Sequence, residues 1–129
     1  MTEEIQLQLE RWERKILRKV YGPTKDQEGW RIRTNKEINQ LYKRPNIVTL
    51  IKTKRIEWAG HLIRMDGGRT AKKIFEGKPG GRRYRGRPRL RWLDCIEKDL
   101  RSLGVRGWRK KAERRDEWAN IIKEALAKL

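Results

Sequence analysis

The chain has 129 residues, of which 35 are lysine or arginine and 17 are aspartate or glutamate, so its formal net charge is +18 at pH 7. One cysteine excludes an internal disulfide and a cysteine-based zinc site, one histidine argues against a metal held by protein ligands alone, and no apolar run approaches the ~20 residues that cross a bilayer. An excess charge of this size attracts polyanions, so we expect nucleic acid as the partner, with no membrane, metal or cofactor.

The first predicted helix covers residues 3–20, where apolar side chains recur at helical spacing. They are Ile5, Leu9, Trp12, Ile16 and Val20. Acidic residues open this segment and basic residues close it, which suits the helix dipole. We expect the stripe, Trp12 included, to pack in the core.

A polar connector is predicted next, at residues 24–33, and it contains Trp30. A short helix should follow it, because Thr34 and Glu37 have the spacing of a capping box. Pro45 ends this helix, since the residue before a proline is pushed out of helical geometry.

Asn46 can cap a longer helix at about 47–65, whose apolar stripe includes Trp58. We expect Trp58 to lie in the core as well. Basic side chains surround this stripe and could extend a positive surface. They are Lys52, Lys54, Arg55 and Arg64.

The rest of the chain is predicted to contain a short helix at 70–76 and then a basic loop. Pro88 is well placed as the first residue of the next helix, which continues over 89–103, and a last helix runs from about 107 to the end. The stripe of the last helix is Trp108, Ala112, Ala119, Ile122, Leu126 and Leu129, flanked by Trp118, Ile121 and Ala125. The predicted fold class is therefore all-α, a small bundle of five to six helices with a disordered arginine-rich loop. Its parts are N-terminal helices at 1–76, the basic Gly/Arg loop at 77–88 and a C-terminal helical hairpin at 89–129, in one compact domain.

The basic loop lies within "GGRRYRGRPRLRW", residues 80–92, which holds six arginines and no acid. Its "RGRP" at 85–88 is the core of an AT-hook, a motif whose arginines enter the narrow minor groove of A·T-rich DNA. A loop that binds the phosphates of any nucleic acid is the alternative, and A·T dependence distinguishes the two. The same basic run is typical of a nuclear localisation signal, so we expect a nuclear protein.

The candidate nucleic-acid-binding residues are mainly cations in and around this loop. They are Arg82, Arg83, Arg85, Gly86, Arg87, Pro88, Arg89 and Arg91, then Lys72, Lys73 and Lys78, and on the longer helix Lys52, Lys54, Arg55 and Arg64. The candidate base-stacking residues are Trp92, Tyr84 and Trp30. No residue is predicted to be catalytic or to bind a metal.

Two other functions stay open. The outer helices could dock a missing polymerase domain or a second copy, in which case their apolar stripes should not be satisfied internally. A nuclease would need a site at His61 or at the acidic group Asp94, Glu97 and Asp99, and would depend on a divalent cation.

Five blocks of sequence follow one another along the chain: "ERWERKILRKVYGP", "WRIRTNKEINQLY", "IEWAGHLIRM", "GRRYRGRPRLRWLDCIEKDLRSLGV" and "WRKKAERRDEWANII". Together they resemble the C-terminal tail of invertebrate non-long-terminal-repeat retrotransposon polyproteins of the endonuclease–reverse transcriptase type. The resemblance implies an element-derived origin, a nucleic-acid context and a reverse transcriptase domain as a further candidate partner. It does not carry over enzymatic activity, because the paired aspartates of the polymerase are absent and the five aspartates never stand adjacent.

Overall fold

The computed structural model describes residues 1–77 and 91–129. Within these ranges the chain forms seven α-helices and one two-stranded antiparallel sheet, which confirms the all-α prediction. The helices are α1 (Glu3–Tyr21), α2 (Asn35–Tyr42), α3 (Ile47–Ile63), α4 (Thr70–Glu76), α5 (Trp92–Ser102), α6 (Trp108–Glu113) and α7 (Arg115–Lys128). The strands are β1 (Thr24–Asp26) and β2 (Gly29–Arg31). Two compact units are present, unit 1 (Met1–Leu50) and unit 2 (Ile51–Leu129).

In unit 1, the predicted connector at 24–33 is instead a β-hairpin. Asp26 pairs with Gly29 at its tip, where Gly29 has φ 113°, a conformation that a residue with a Cβ rarely adopts. Each strand has three residues, too few for an alternating apolar pattern to be visible in the sequence. The hairpin also places Trp30 in β2.

The helix starts of unit 1 follow their sequence signals. Thr34 Oγ1 accepts a hydrogen bond from Glu37 N at 3.3 Å, and a Glu37 carboxylate oxygen accepts one from Thr34 N at 2.8 Å. This pair confirms the predicted capping box of α2. The predicted cap of α3 is also present, since Asn46 Oδ1 accepts a hydrogen bond from Thr49 N at 2.9 Å.

Arginine side chains join the end of α1 to the start of α2. Arg18 Nε donates to Arg33 O at 3.2 Å, and an Arg18 guanidinium nitrogen also donates to Asn35 Oδ1. Arg33 Nε in turn donates to Gly22 O at 3.0 Å. Polar contacts therefore fix this junction.

The stripe of α1 is not in a core, so that prediction is wrong. Trp12 is 54% exposed, and Ile5, Ile16 and Val20 are exposed as well. All fifty residues of unit 1 are described, and its buried side chains are Ile38, Val48 and Thr49. Helical spacing alone identified the apolar face of α1 but not whether this chain covers it.

The apolar core of unit 2 collects side chains from five helices. They are Ile56, Ala59 and Leu62 of α3, Phe75 of α4, Leu93, Ile96 and Leu100 of α5, Ala112 of α6, and Trp118, Ile121 and Ala125 of α7. Trp118 is the largest of the fully buried side chains and is 1% exposed. Its indole Nε1 donates to Ile56 O at 2.9 Å, so the polar atom of this core tryptophan is satisfied.

Gly60 gives Trp118 the space to reach α3. A Cβ added at Gly60 would overlap the Trp118 ring, coming within 2.8 Å of its Cε2 atom. The close approach of α7 to α3 therefore requires glycine at this position.

The predicted last helix is broken into α6 and α7 at Arg114, whose backbone is extended at φ −101° and ψ 116°. The break raises the number of helices in residues 1–77 and 91–129 to seven and turns a different face of α7 inward. Trp118, which the sequence pattern placed beside the stripe, is central to the core, and Ala119 is exposed. Trp108 is partly buried against this core, as predicted.

The helix predicted at 89–103 begins at Trp92 in the structure, with Arg91 as its N-cap residue. The proposed first helical residue, Pro88, lies outside the described residues. Among the helices of residues 1–77 and 91–129, none combines the length and the apolar character needed to cross a membrane.

Candidate nucleic-acid interface

Most of the predicted basic loop lies outside the residues that the structure describes. This applies to Lys78, Arg82, Arg83, Tyr84, Arg85, Gly86, Arg87, Pro88 and Arg89. By sequence, residues 78–90 carry six basic side chains and no acid. The segment leaves α4 after Gly77 and returns at Arg91, both of which are described and belong to unit 2.

Arg91 is paired with a carboxylate of its own chain. Its Nη2 lies 3.2 Å from Asp94 Oδ1, and its backbone N donates to Asp94 Oδ2 at 3.1 Å. The hydrogen bonds from Arg91, side chain first and then backbone, lower the pKa of Asp94. Arg91 therefore offers a polyanion less uncompensated charge than its place in the arginine run suggested.

Two of the predicted cations are held by backbone carbonyl groups. Lys72 Nζ donates to Ile63 O at 2.9 Å and Met65 O at 3.1 Å, so it caps the C-terminal end of α3. Arg64 Nη1 donates to Ala112 O at 2.8 Å. A carbonyl is neutral, so these bonds fix the position of each cation without neutralising its charge.

The remaining predicted cations of unit 2 differ in their surroundings. Lys54 Nζ forms an ion pair with Glu57 Oε2 at 2.6 Å, and Lys73 is exposed. Burial raises the pKa of Asp99 on α5, and the positive charges of Lys52 and Arg55 on α3 oppose that rise. The charges of these two cations therefore act on an internal carboxylate.

A mixed aromatic and basic surface lies on the outside of α3, and we call it the Trp58 face. It is a shallow pocket of about 300 Å³ lined by Lys54, Glu57, Trp58, His61 and Arg64. Trp58 is 54% exposed, so its predicted place in the core is wrong. Its ring meets the exposed His61 ring nearly at right angles, at 84° with 5.4 Å between centroids.

The other candidate stacking residues lie apart from this face. Trp30 is 71% exposed on the hairpin of unit 1. Trp92 makes an edge-on contact with Phe75, with ring centroids 5.6 Å apart, and lines an apolar pocket of about 710 Å³ between α4 and α5. Tyr84 is outside the described ranges.

Sequence reasoning missed the Trp58 face because it assigned Trp58 to a stripe. A signal was present nonetheless. Lys54 and His61 stand four residues before and three after Trp58, so helix geometry places all three on one side. A side chain that points into the protein core is not expected to have polar groups on the same face of the helix one turn before it and one turn after it.

A metal-dependent site has no visible ligand set in residues 1–77 and 91–129, where no three His, Cys, Asp or Glu side chains are grouped to hold an ion. In the acidic group of α5, Asp94 is bonded to Arg91 and Asp99 is buried beside the core. The arrangement that the described cations do offer is electrostatic attraction together with an exposed aromatic ring.

Comparison with known proteins gives an origin without a function. The chain is 28% identical over 112 residues to an uncharacterized transposon-derived protein of Caenorhabditis elegans. The match covers 82% of this chain but 40% of that relative's length. No protein-family model and no solved structure matches the chain. The similarity supports a transposon-derived origin.

Proposed function

We propose that this chain is a non-catalytic nucleic-acid-binding module derived from a retrotransposon reverse transcriptase polyprotein, and that it binds the phosphates of DNA or RNA. Its net charge of +18 carries the proposal. Phosphate neutralisation needs only well-placed cations, and displaced counterions supply much of the free energy of binding. The basic Gly/Arg loop at residues 77–88 supplies most of the affinity, through its arginines.

Unit 2 supplies further cations at fixed positions. Arg64 and Lys72 are tethered to carbonyl oxygens, so little side-chain entropy is lost when a phosphate binds them. Lys73 is exposed beside Lys72 on α4. These three residues would add cations for phosphate binding to those of the arginine-rich segment.

The retrotransposon origin rests on the five blocks of sequence and is consistent with the transposon-derived relative. In an element polyprotein, a module of this kind would hold element RNA or target DNA near the reverse transcriptase during copying. Such a role requires the nucleus, and the basic run of residues 82–89 would serve as the import signal.

Salt dependence tests the proposal. If ~5 phosphates are neutralised on a 20-base-pair duplex, the slope of log affinity against log salt should be near −4.5. Replacing both Arg85 and Arg87 by Ala should reduce the size of that slope by about 2. The control is the double variant Arg114→Ala with Lys128→Ala, which removes two cations that are already paired with Glu117 and Glu124.

A slope near zero for the wild-type chain would contradict phosphate binding. An equal change in both double variants would instead show that Arg85 and Arg87 contact no phosphates. Comparing A·T-rich with G·C-rich duplexes then distinguishes an AT-hook from a loop that binds the phosphates of any nucleic acid. If Arg85 and Arg87 read the minor groove of A·T-rich DNA, their loss should weaken binding to that duplex more than to the other.

A second function, self-association, is favoured by the exposed stripe of α1. The stripe is nearly the same when it is traced from either end of the helix. In an antiparallel pair of α1 helices, Ile5 would lie opposite Val20 of the second copy, and Leu9 would lie opposite Ile16. Trp12 would then lie one residue away from the position opposite Trp12 of the second copy. A contact between two identical surfaces of this kind is what a two-fold dimer requires.

Charge complementarity also favours a second copy as the occupant of the stripe. The first turn of α1 carries Glu3 and Glu4, and its last turn carries Arg18 and Lys19. An antiparallel pair brings each acidic end beside a basic end. Net repulsion between two cationic chains opposes this pairing, and salt screens that repulsion.

Sedimentation equilibrium tests self-association. The wild-type chain should be a dimer, and Ile16→Glu should be a monomer. Leu7→Glu is the matched control, because Leu7 is exposed on the same helix but away from the stripe. Added salt should tighten the dimer while it weakens nucleic-acid binding. A wild-type monomer, or equal dissociation by both variants, would contradict this use of the stripe.

A further inference from the structure

Trp58 is an exposed tryptophan that the fold of unit 2 does not use for its core. The core around Trp118 does not include Trp58, although Trp58 belongs to α3 and Trp118 packs against that helix. A large aromatic side chain left half in water loses the free energy that burial would provide. Its neighbours are polar or charged, so the Trp58 face does not resemble the apolar surface that a protein partner would cover.

The orientation of the Trp58 ring and of one nearby cation is fixed before any ligand binds. The perpendicular contact with His61 restrains the indole ring. The hydrogen bond from Arg64 to Ala112 O holds that guanidinium at the edge of the same pocket. Both arrangements lower the entropy that a ligand would otherwise have to remove.

We propose that Trp58 stacks on an unpaired nucleobase, and that Arg64 contacts a phosphate beside it. This inference rests on the proposed nucleic-acid binding and narrows the ligand to single-stranded or looped nucleic acid. The planar indole suits every base, since each has a π face. In a duplex the faces are already stacked within the helix, so the same side chain would gain little.

The charges of the pocket favour a nucleotide over a neutral aromatic ligand. Lys54 and Glu57 balance one another in their ion pair, whereas Arg64 is bonded to a neutral carbonyl. The pocket therefore retains the positive charge of Arg64. Arg64 lines the same pocket as Trp58, so the phosphate that the sugar joins to a stacked base is brought to the pocket that holds this guanidinium.

The test compares a single-stranded 12-mer with a duplex of the same sequence, using fluorescence anisotropy of labelled strands at fixed salt. Trp58→Ala should weaken binding of the single strand about 5- to 150-fold, the range that loss of one stacked base produces, and should change duplex binding less than about twofold. Trp58→Phe, which keeps an aromatic face, should lie in between. Ile32→Ala, at an exposed apolar side chain of unit 1 that belongs to no proposed site, is the control and should leave both affinities unchanged.

The salt slope separates this inference from the proposed function. Trp58→Ala removes no charge, so the slope should stay at the wild-type value while the affinity falls. Equal losses on single strand and duplex, or no loss on either, would overturn the stacking role and leave phosphate binding standing. A wild-type chain that binds neither ligand would overturn both.

Discussion

The two units of this chain are stabilised in different ways. Unit 2 is built around a buried tryptophan whose ring occupies the space left by a glycine on α3. Unit 1 buries few side chains, and much of its structure depends on hydrogen bonds at the ends of its helices. Dense packing makes unit 2 sensitive to side-chain volume, whereas unit 1 should be sensitive to the loss of single polar groups.

The two units also expose different kinds of apolar surface. In unit 2, the exposed Trp58 has charged neighbours, while Trp118 has apolar ones. In unit 1, the exposed stripe of α1 is continuous over most of the helix. A continuous stripe suits another helix, and an isolated ring among charges suits a nucleotide.

The largest expected effect is on the core of unit 2. Gly60→Ala should destabilise unit 2 by about 3 kcal/mol or more, because the new methyl group displaces the Trp118 ring and breaks its hydrogen bond to Ile56 O. Helix propensity alone would favour alanine by about 1 kcal/mol, so the sign of the result is informative. Urea unfolding, combined with hydrogen exchange of α7 amides, would measure the loss.

Gly67→Ala is the matched control, since a Cβ at Gly67 would meet no atom within 4 Å. It should change stability by less than about 0.5 kcal/mol. If Gly60→Ala were as stable as the wild type, the close approach of Trp118 to α3 would be wrong. If α2 lost protection together with α7, the two units would unfold as one.

Much of the helical structure could be predicted from local signals. The capping box of α2, the Asn46 cap of α3 and the bounds of α4 all follow from residues within one or two turns of each other. The direction in which each helix faces could not be predicted in the same way. Trp12 and Trp58 have helical spacing from other apolar residues, but burial depends on neighbours that are distant in sequence.

The candidate site shows the same limit. Clustered arginines and lysines are visible in the sequence, and they predict attraction to a polyanion. That Arg64 is held by Ala112, 48 residues away, is not visible there. Composition indicated the charge of the surface, whereas only the fold shows which cations are already engaged.

An intermediate effect is expected at the capping box of unit 1. Thr34→Ala should cost about 1 kcal/mol, the typical loss when a helix N-cap side chain is removed. Hydrogen exchange of the α2 amides should show it, with α7 unaffected if the two units are independent. Thr70→Ala is the control, because Thr70 is exposed in the first turn of α4 and the N-cap position there belongs to Arg69. An equal loss from both variants would show that the capping box is not the cause.

The smallest effect is a difference in how the two units respond to acid. Arg31 hydrogen bonds lower the pKa of Glu37 in unit 1 from 4.5 to about 2. Unit 1 should therefore keep the contribution of this carboxylate above pH 4.5 and lose it as the pH falls towards 2. Burial raises the pKa of Asp99 in unit 2, so its contribution has the opposite sign. It is fully present below the ordinary value of 3.8 and is lost as the pH rises through the folded-state value.

Asp99→Asn isolates that contribution, because Asp94, whose pKa is lowered, is present in both proteins. The variant should be more stable than the wild type at pH 7, where the buried carboxylate is charged and one of its oxygens has no hydrogen-bond partner among the described residues. The advantage should disappear by about pH 4, where protonation removes the same charge from the wild type. Lys52 and Arg55 offset part of the burial cost, which keeps the difference small. A variant that is less stable at pH 7 would show that attraction to those two cations outweighs burial.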